Sequence, residues 1–171
     1  MLTRELAESL IRLPKALAGL PKWSRSTLPR GKTESDPTSP WYTLAATLAV
    51  DGQPMPGLEL RANAHPHHEP QRLQMLLQVG AVVLERVSLR PTHFHTNKVP
   101  GRPRTRLPPG IPRRYSILTD PRWPPSRGGP ELGEMIIEPL DSAEALIRYC
   151  LSAWAIDGDL PAPPFSPELP L

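Results

Sequence analysis

All five histidines of this 171-residue chain fall into two short clusters, and each cluster follows a stretch with β-strand character. His65, His67 and His68 form the first cluster, and His93 and His95 form the second. Residues i and i+2 of a strand share a face, so each cluster can direct two imidazoles the same way. If the two strand ends are neighbours, four imidazoles converge: those of His65, His67, His93 and His95. Such a set would suit a divalent transition metal such as zinc.

The same imidazoles suit proton transfer, because the ordinary pKa of histidine is about 6.5. His93 and His95 are therefore the candidate catalytic residues of a metal-independent ribonuclease or phosphodiesterase, as general acid and base. A structural interpretation is also open, because Pro66 and Pro70 place the first cluster in a turn, where histidine is a tolerated polar residue. The chain contains no P-loop, dinucleotide-binding glycine motif, nucleophile elbow or His-Glu-x-x-His motif. No cofactor is expected apart from the metal alternative.

The second histidine cluster lies inside a strongly basic stretch. Residues 86–119 carry eight Lys and Arg side chains and no Asp or Glu, whereas residues 1–85 carry a net charge of +1 and residues 120–171 a net charge of −6. Fixed positive charge beside titratable imidazoles attracts polyanions, and phosphate is the commonest of these in a cell. The charge distribution therefore predicts a phosphate-bearing ligand.

The candidate phosphate-binding residues are the amide and guanidinium groups that follow His95. They are Asn97, Arg102, Arg104, Arg106, Arg113 and Arg114. Arginine can bind phosphate through two parallel hydrogen bonds and can stack on nucleobases. This stretch is rich in proline and lacks a helical pattern, so single-stranded nucleic acid or RNA is the expected partner, rather than the major groove of DNA. The alternative is a solvated basic loop without a partner.

Length and composition predict a single cytoplasmic domain with no membrane association. A chain of 171 residues has room for one core. A membrane span needs about 20 consecutive apolar residues, and no such run occurs. Charged residues interrupt the first twelve positions, which is unlike a signal peptide. The single cysteine, Cys150, excludes an intrachain disulfide, and its place on the apolar side of a predicted helix indicates a buried thiol.

The hydrophobic pattern predicts an α+β fold with an N-terminal helix, a mainly antiparallel sheet of four to six strands, and a C-terminal helix packed on one face. Thr3 is the expected N-cap of the first helix. The leucines that recur at helical spacing from Leu6 would form its apolar stripe, and Pro14 ends or kinks it. Asp141 and Glu144 match a capping box at the start of the last helix. An antiparallel meander is predicted from four β segments, at 41–50, 58–62, 73–79 and 81–89. Further short strands are expected at 114–118 and 135–137.

Irregular segments divide the predicted domain. Residues 1–158 form the α+β domain, in which 18–40 is a loop or linker and 96–130 a long basic, proline-rich loop. Residues 159–171 form a proline-rich tail that is expected to be extended or disordered. Such a tail could dock into the groove of a partner protein.

Three short motifs carry a resemblance to a known family. They are Leu13-Pro14-Lys15 after the first helix, the strand 83–87, and His95-Thr96-Asn97. In this combination the chain resembles a family of uncharacterised prokaryotic domains associated with mobile-element and defence-type genes. That family is expected to carry a second, later His-x-His followed by tyrosine, where this chain has Arg113-Arg114-Tyr115. The resemblance implies a defence or toxin–antitoxin setting and no particular activity.

Three functions are consistent with these observations. The first is binding of nucleic acid or another phosphate-bearing ligand through the basic His/Arg stretch. The second is a metal-independent, toxin-like ribonuclease or phosphodiesterase that uses His93 and His95. The third is a protein-interaction module of a defence-type system.

Overall fold

The computed structural model describes residues 2–26, 41–65, 71–101, 103–125 and 128–165. His67 and Arg102 lie outside these ranges, as do most of the 18–40 segment and the end of the 159–171 tail. Within the described ranges the fold is α+β, as predicted, with two helices and a large mixed sheet.

The helices are α1 (Arg4–Arg12) and α2 (Ala143–Ala153). The strands are β1 (Lys15–Leu17), β2 (Ser24–Ser26), β3 (Trp41–Val50), β4 (Gln53–His65), β5 (Arg72–Val79), β6 (Val82–Ser88), β7 (His95–Asn97), β8 (Thr105–Leu107), β9 (Arg113–Ser116), β10 (Gly133–Met135) and β11 (Ile156–Asp157).

The predicted meander is the centre of the sheet. Strands β3, β4, β5 and β6 pair in sequence order and antiparallel, and β9 and β10 continue the sheet beyond β6. Beyond β3 lie β1 and β11, and β2 also pairs with β3. A separate hairpin of β7 and β8 completes the β structure of the described residues.

The expectation of four to six strands was wrong, because the main sheet has nine among the described residues. The additional strands β1, β2 and β11 have only two or three residues each, too few to give a readable alternation of polar and apolar positions. The pairing of β1 with β11 is parallel, which makes the sheet mixed. The segment 96–130 was expected to be a long loop with one short strand at 114–118, and it contains β8 as well as β9.

One face of the sheet is apolar and carries both helices. Leu60, Met75 and Val87 lie on this face and form one buried cluster with residues of α1 and α2. Strand positions alternate between faces, so the residues next to them in sequence lie on the opposite, polar face. Cys150 lies on the core side of α2 and is buried, as the sequence predicted. Its burial raises the pKa of the thiol.

Each helix begins at a hydroxyl cap. Thr3 Oγ1 accepts a hydrogen bond from the Leu6 amide, as the sequence predicted. The cap of α2 is Ser142, whose Oγ accepts from the Ala145 amide, so the capping box assigned to Asp141 was misplaced by one residue. Both residues are good N-caps, and the pattern alone does not separate them.

The buried stripe of α1 also differs from the expected leucines. Ala7, Leu10 and Ile11 are buried, whereas Leu6 and Leu13 are 46% and 38% exposed. The helix ends at Leu13, before Pro14, and the Lys15 ammonium donates to the carbonyl groups of Leu10 and Leu13 at its C-terminal end. These bonds satisfy carbonyl groups that have no partner within the helix.

A buried ionic network ties β6 to β9 and α2. Glu85 is fully buried, and its carboxylate accepts hydrogen bonds from Arg114, from Ser116 Oγ and from the indole N–H of Trp154. Burial acts to lower the pKa of Arg114, but the hydrogen bonds to Glu85 outweigh it and raise that pKa. Because Glu85 lies on the helix-bearing face, its neighbour Arg86 lies on the polar face.

The described part of the proline-rich tail lies against the domain. Leu160 and Phe165 pack on the core, and the indole N–H of Trp23 donates to the Pro161 carbonyl oxygen at 3.0 Å. In the part of the chain described, no helix is long and apolar enough to cross a membrane.

Candidate functional site

A cleft of about 380 Å³ lies on the polar face of the sheet. Its floor is a row of residues paired across four strands, and each member also lines the cleft: Asn63, Gln74, Ser88 and Arg113. Its wall consists of residues 90–94, from the connection between β6 and β7, and of His95, the first residue of β7. The sheet thus supplies a rigid base, and the segment that carries the second histidine cluster closes one side.

The cleft is strongly basic. Seven of its lining side chains are Arg or His, and none of its described lining residues is Asp or Glu. They are His65, Arg72, Arg86, Arg90, His93, His95 and Arg113. The structure therefore brings the described member of the first histidine cluster to the same cleft as both members of the second. Clefts lined by one sign of charge focus the field and concentrate counter-ions.

Two guanidinium groups contribute buried nitrogens that have no hydrogen-bond partner among the described residues. Arg113 is 2% exposed, and its Nη2 donates to the carbonyl oxygens of His93 at 2.7 Å, of Leu107 at 3.3 Å and of Pro108, while its Nε is unpaired. Arg86 stacks over the ring of Tyr115, 4.1 Å from its centroid, and its Nε is also buried and unpaired. Buried donors of this kind favour a partner, because leaving them unpaired costs free energy.

His95 is fixed by a backbone contact. Its Nε2 lies 2.8 Å from the Glu131 carbonyl oxygen, and its ring meets Tyr115 edge-on with centroids 5.0 Å apart. A carbonyl oxygen only accepts, so Nε2 carries the proton in this contact and Nδ1 of a neutral ring is the acceptor. Gly133 makes this packing possible, because a Cβ there would lie 3.1 Å from His95 Cδ2 and 2.9 Å from Tyr115 Cε1.

The Glu131 carbonyl is itself held in place by Asp120. This buried carboxylate accepts hydrogen bonds from the amides of Glu131 and Leu132 and from the Arg122 side chain. Burial acts to raise the pKa of Asp120, but the Arg122 and backbone hydrogen bonds outweigh it and hold the pKa well below its usual range. Asp120 thus positions the backbone that orients His95.

The opposite end of the cleft is aromatic. The rings of Trp41 and His65 stack with centroids 5.3 Å apart and an interplanar angle of 27°. Trp41 Nε1 is buried and has no hydrogen-bond partner among the described residues. Arg72 is the cross-strand neighbour of His65, and burial lowers the pKa of its guanidinium, which stays charged because arginine titrates far above neutrality.

Five of the six predicted phosphate-binding residues lie in the described ranges and divide into three groups, and the sixth, Arg102, lies outside those ranges. Arg113 lines the cleft. Asn97 and Arg114 are structural, because the Asn97 amide bonds both backbone groups of Gly133 at 2.8 Å and Arg114 pairs with Glu85. Arg104 and Arg106 are exposed and lie outside the cleft lining. The guanidinium carbon of Arg106 lies 3.8 Å from the ring centroid of the cleft residue Phe94.

The predicted metal set is partly outside the described residues, because His67 is one of its four members. Within the described ranges, no group of three or more His, Cys, Asp or Glu residues is close enough together to hold a metal ion.

Several cleft residues were missed by sequence reasoning. They are Trp41, Asn63, Arg72, Gln74, Arg86, Ser88 and Arg90. A usable signal was present, since five of them follow the i, i+2 alternation of adjacent strands: Asn63 with His65, Arg72 with Gln74, and Arg86 with Ser88. The alternation predicts the polar face of each strand, whereas the convergence of these residues depends on strand register.

Comparisons of the chain with protein-family models, with curated proteins and with solved structures give no match.

Proposed function

We propose that this protein binds nucleic acid or another phosphate-bearing ligand in the cleft on the polar face of its sheet. The observation that carries the proposal is the concentration of seven Arg and His side chains around one cavity with no carboxylate among the described lining residues. Four of the seven are arginines, which are permanently charged and match the geometry of phosphate.

The form of the cavity also supports a small ligand or a short segment of a strand. A volume of about 380 Å³ is within the range of small-molecule sites. Exposed basic residues outside the cleft, among them Arg104 and Arg106, extend the positive surface from its rim. They would attract a polyanion from solution, whereas the buried guanidinium groups of the cleft would bind it.

The test is a titration of the full chain with labelled single-stranded RNA, single-stranded DNA and duplex DNA across a salt series. We expect Arg86→Gln to weaken binding about 10- to 100-fold, because a charge-assisted hydrogen bond contributes roughly 1.5–3 kcal/mol. The slope of the logarithm of the binding constant against the logarithm of the salt concentration should also become shallower, by about 0.7 for each contact with a single-strand phosphate that is lost.

Arg61→Gln is the matched control. Arg61 lies on the same face of the sheet, in the register row that crosses Leu76 to Arg86, but it is outside the cleft lining and pairs with Glu59. It should change affinity by less than about threefold, as expected for an exposed charge that makes no ligand contact. Equal losses for the two variants would contradict a specific site in the cleft.

A second function, metal-independent cleavage of RNA, is favoured by the contact between His95 and Glu131. The contact leaves Nδ1 of a neutral His95 able to accept a proton, as a general base for the ribose 2′-hydroxyl must. His93 would serve as the acid. This proposal predicts cleavage of RNA in excess chelator, a bell-shaped pH profile, and loss of cleavage in His95→Ala. Intact RNA under these conditions would leave binding as the function.

The cytoplasmic location, the defence-type setting and the protein-interaction alternative remain predictions of the sequence.

A further inference from the structure

We infer that the ligand of the cleft is a nucleotide unit, with its base at the Trp41 end and its phosphate at the Arg86–Arg113 end. The inference rests on the proposed phosphate-binding function and names the part of the ligand that the arginines do not recognise. It follows from how aromatic, amide and cationic groups are distributed along the floor.

The aromatic end offers a hydrogen-bond donor that has no partner. Trp41 Nε1 is buried and unpaired among the described residues, while the indole ring stacks on His65. Indole nitrogen can only donate, so the missing partner is an acceptor atom. A buried indole N–H usually finds such a partner, and the ring nitrogens and carbonyl oxygens of nucleobases are acceptors in a flat ring system.

Next to this end, the floor carries two amide side chains. Asn63 and Gln74 are direct cross-strand neighbours and both line the cleft. Each amide presents a donor and an acceptor together, which is the pattern needed to pair with the edge of a base. Gln74 Nε2 already donates to Ser88 Oγ at 3.3 Å, which orients its amide along the floor row.

Arg86 and Arg113 lie further along the floor, whereas Arg72 lies beside His65 at the Trp41 end. From Asn63 the row continues through Gln74 and Ser88 to Arg113, which is three strand spacings or about 14 Å between backbones. Beside Arg113 the Arg86 guanidinium stacks on Tyr115. A single ligand that satisfies both ends must carry a polar aromatic ring at one end and an anion at the other, which is the chemistry of a nucleotide.

Inorganic phosphate has no ring to place against Trp41, and a sugar phosphate has no flat aromatic ring with acceptor atoms to place there. These two ligands are therefore the reference compounds. The source of the nucleotide unit is either a free nucleotide or a single-stranded nucleic acid, because both present the same base, sugar and phosphate. A short oligonucleotide that binds more tightly than the mononucleotides identifies a strand, and equal affinity identifies a free nucleotide.

The experiment is calorimetric titration of the full chain with the four nucleoside 5′-monophosphates, ribose 5-phosphate and inorganic phosphate. At least one mononucleotide should bind about tenfold or more tightly than ribose 5-phosphate. Trp41→Phe keeps an aromatic ring but removes the N–H, and should weaken that mononucleotide about 3- to 10-fold, the worth of one hydrogen bond. Its affinity for ribose 5-phosphate should not change.

Trp23→Phe is the matched control, since it removes an indole N–H that bonds Pro161 outside the cleft. Asn63→Ala is the second variant, and it should show the same selective loss if Trp41→Phe does not fold. Equal affinity of the wild-type chain for mononucleotides and ribose 5-phosphate would overturn the inference and leave phosphate binding intact. Failure of every phosphate compound and oligonucleotide to bind would overturn both proposals.

Discussion

Asp120→Asn tests whether the carboxylate behind His95 holds the site together. Asp120 Oδ1 accepts from the Arg122 amide at 3.1 Å and from its Nε at 2.8 Å. Oδ2 accepts from Arg122 Nη2 at 2.6 Å and from the amides of Glu131 and Leu132 at 2.9 and 3.0 Å. An asparagine must place its NH₂ group at one of these two positions, so at least two hydrogen bonds are lost. The NH₂ group would then lie against the N–H groups that the carboxylate oxygen had accepted from.

The expected cost is about 3 kcal/mol, from roughly 1 kcal/mol for a neutral bond and 1.5–3 kcal/mol for a charged one. The Arg122 side chain is 28% exposed, which keeps its ion pair toward the lower end of that range. For a chain of this size, 3 kcal/mol corresponds to a fall in Tm of about 6–12 °C. Urea unfolding followed by tryptophan fluorescence measures the loss directly, and Asp159→Asn, at an exposed carboxylate, is the control.

The same variant has a pH signature. The folded-state pKa of Asp120 is lower than its unfolded value, so the unfolded chain binds more protons at acid pH and the contribution to stability disappears as the pH falls. The stability difference between the wild type and Asp120→Asn should be constant above about pH 5 and should shrink below about pH 4. A difference under 1 kcal/mol at pH 7, or one that does not change with acid, would refute this account of the carboxylate.

Three other substitutions test separate parts of the structure. Glu85→Gln should destabilise the fold by about 3 kcal/mol, because it leaves the partly buried Arg114 charge without its counter-ion and weakens the bonds to Ser116 and Trp154, and urea unfolding measures it. Gly133→Ala should cost about 1–3 kcal/mol in the same assay, since its Cβ would lie 2.9 Å from Tyr115 Cε1; a neutral result would mean that the ring moves freely. Arg106→Gln should weaken oligonucleotide binding but leave mononucleotide affinity unchanged, because Arg106 is outside the cleft; an equal loss for both ligands would contradict that placement.

The sequence predicted the elements better than the site. The strand β4 alternates polar and apolar residues from Leu58 to His65, and such alternation identifies both a strand and its buried face. The strand β6 was predicted from its Val and Leu content instead, because it begins with three consecutive apolar residues. The capping hydroxyl of Thr3 was equally readable. Two-residue and three-residue strands such as β11 and β1 gave no such pattern, because they form only where a partner strand is already in place.

The site was harder to predict because the number of charged residues in a segment does not indicate the face of the sheet on which each side chain lies. Arg113 and Arg114 are adjacent in the basic stretch, yet Arg113 lines the cleft and Arg114 neutralises Glu85 on the other face. The convergence of His65 with His95 depends on the pairing of β4, β5, β6 and β9, which spans more than fifty residues. Local patterns carry no information on contacts of that range.

The parallel pairing of β1 with β11 has a consequence for synthesis of the chain on the ribosome. Lys15 and Ile156 are paired residues, and the Lys15 amide donates to the Ala155 carbonyl oxygen at 2.8 Å. At about 5–20 residues per second, the 140 residues between them take about 7–28 s to make. For that time β1 has an unpaired edge, to which another nascent chain or a chaperone can bind. Emergence of β11 ends that exposure, because its pairing with β1 covers this edge.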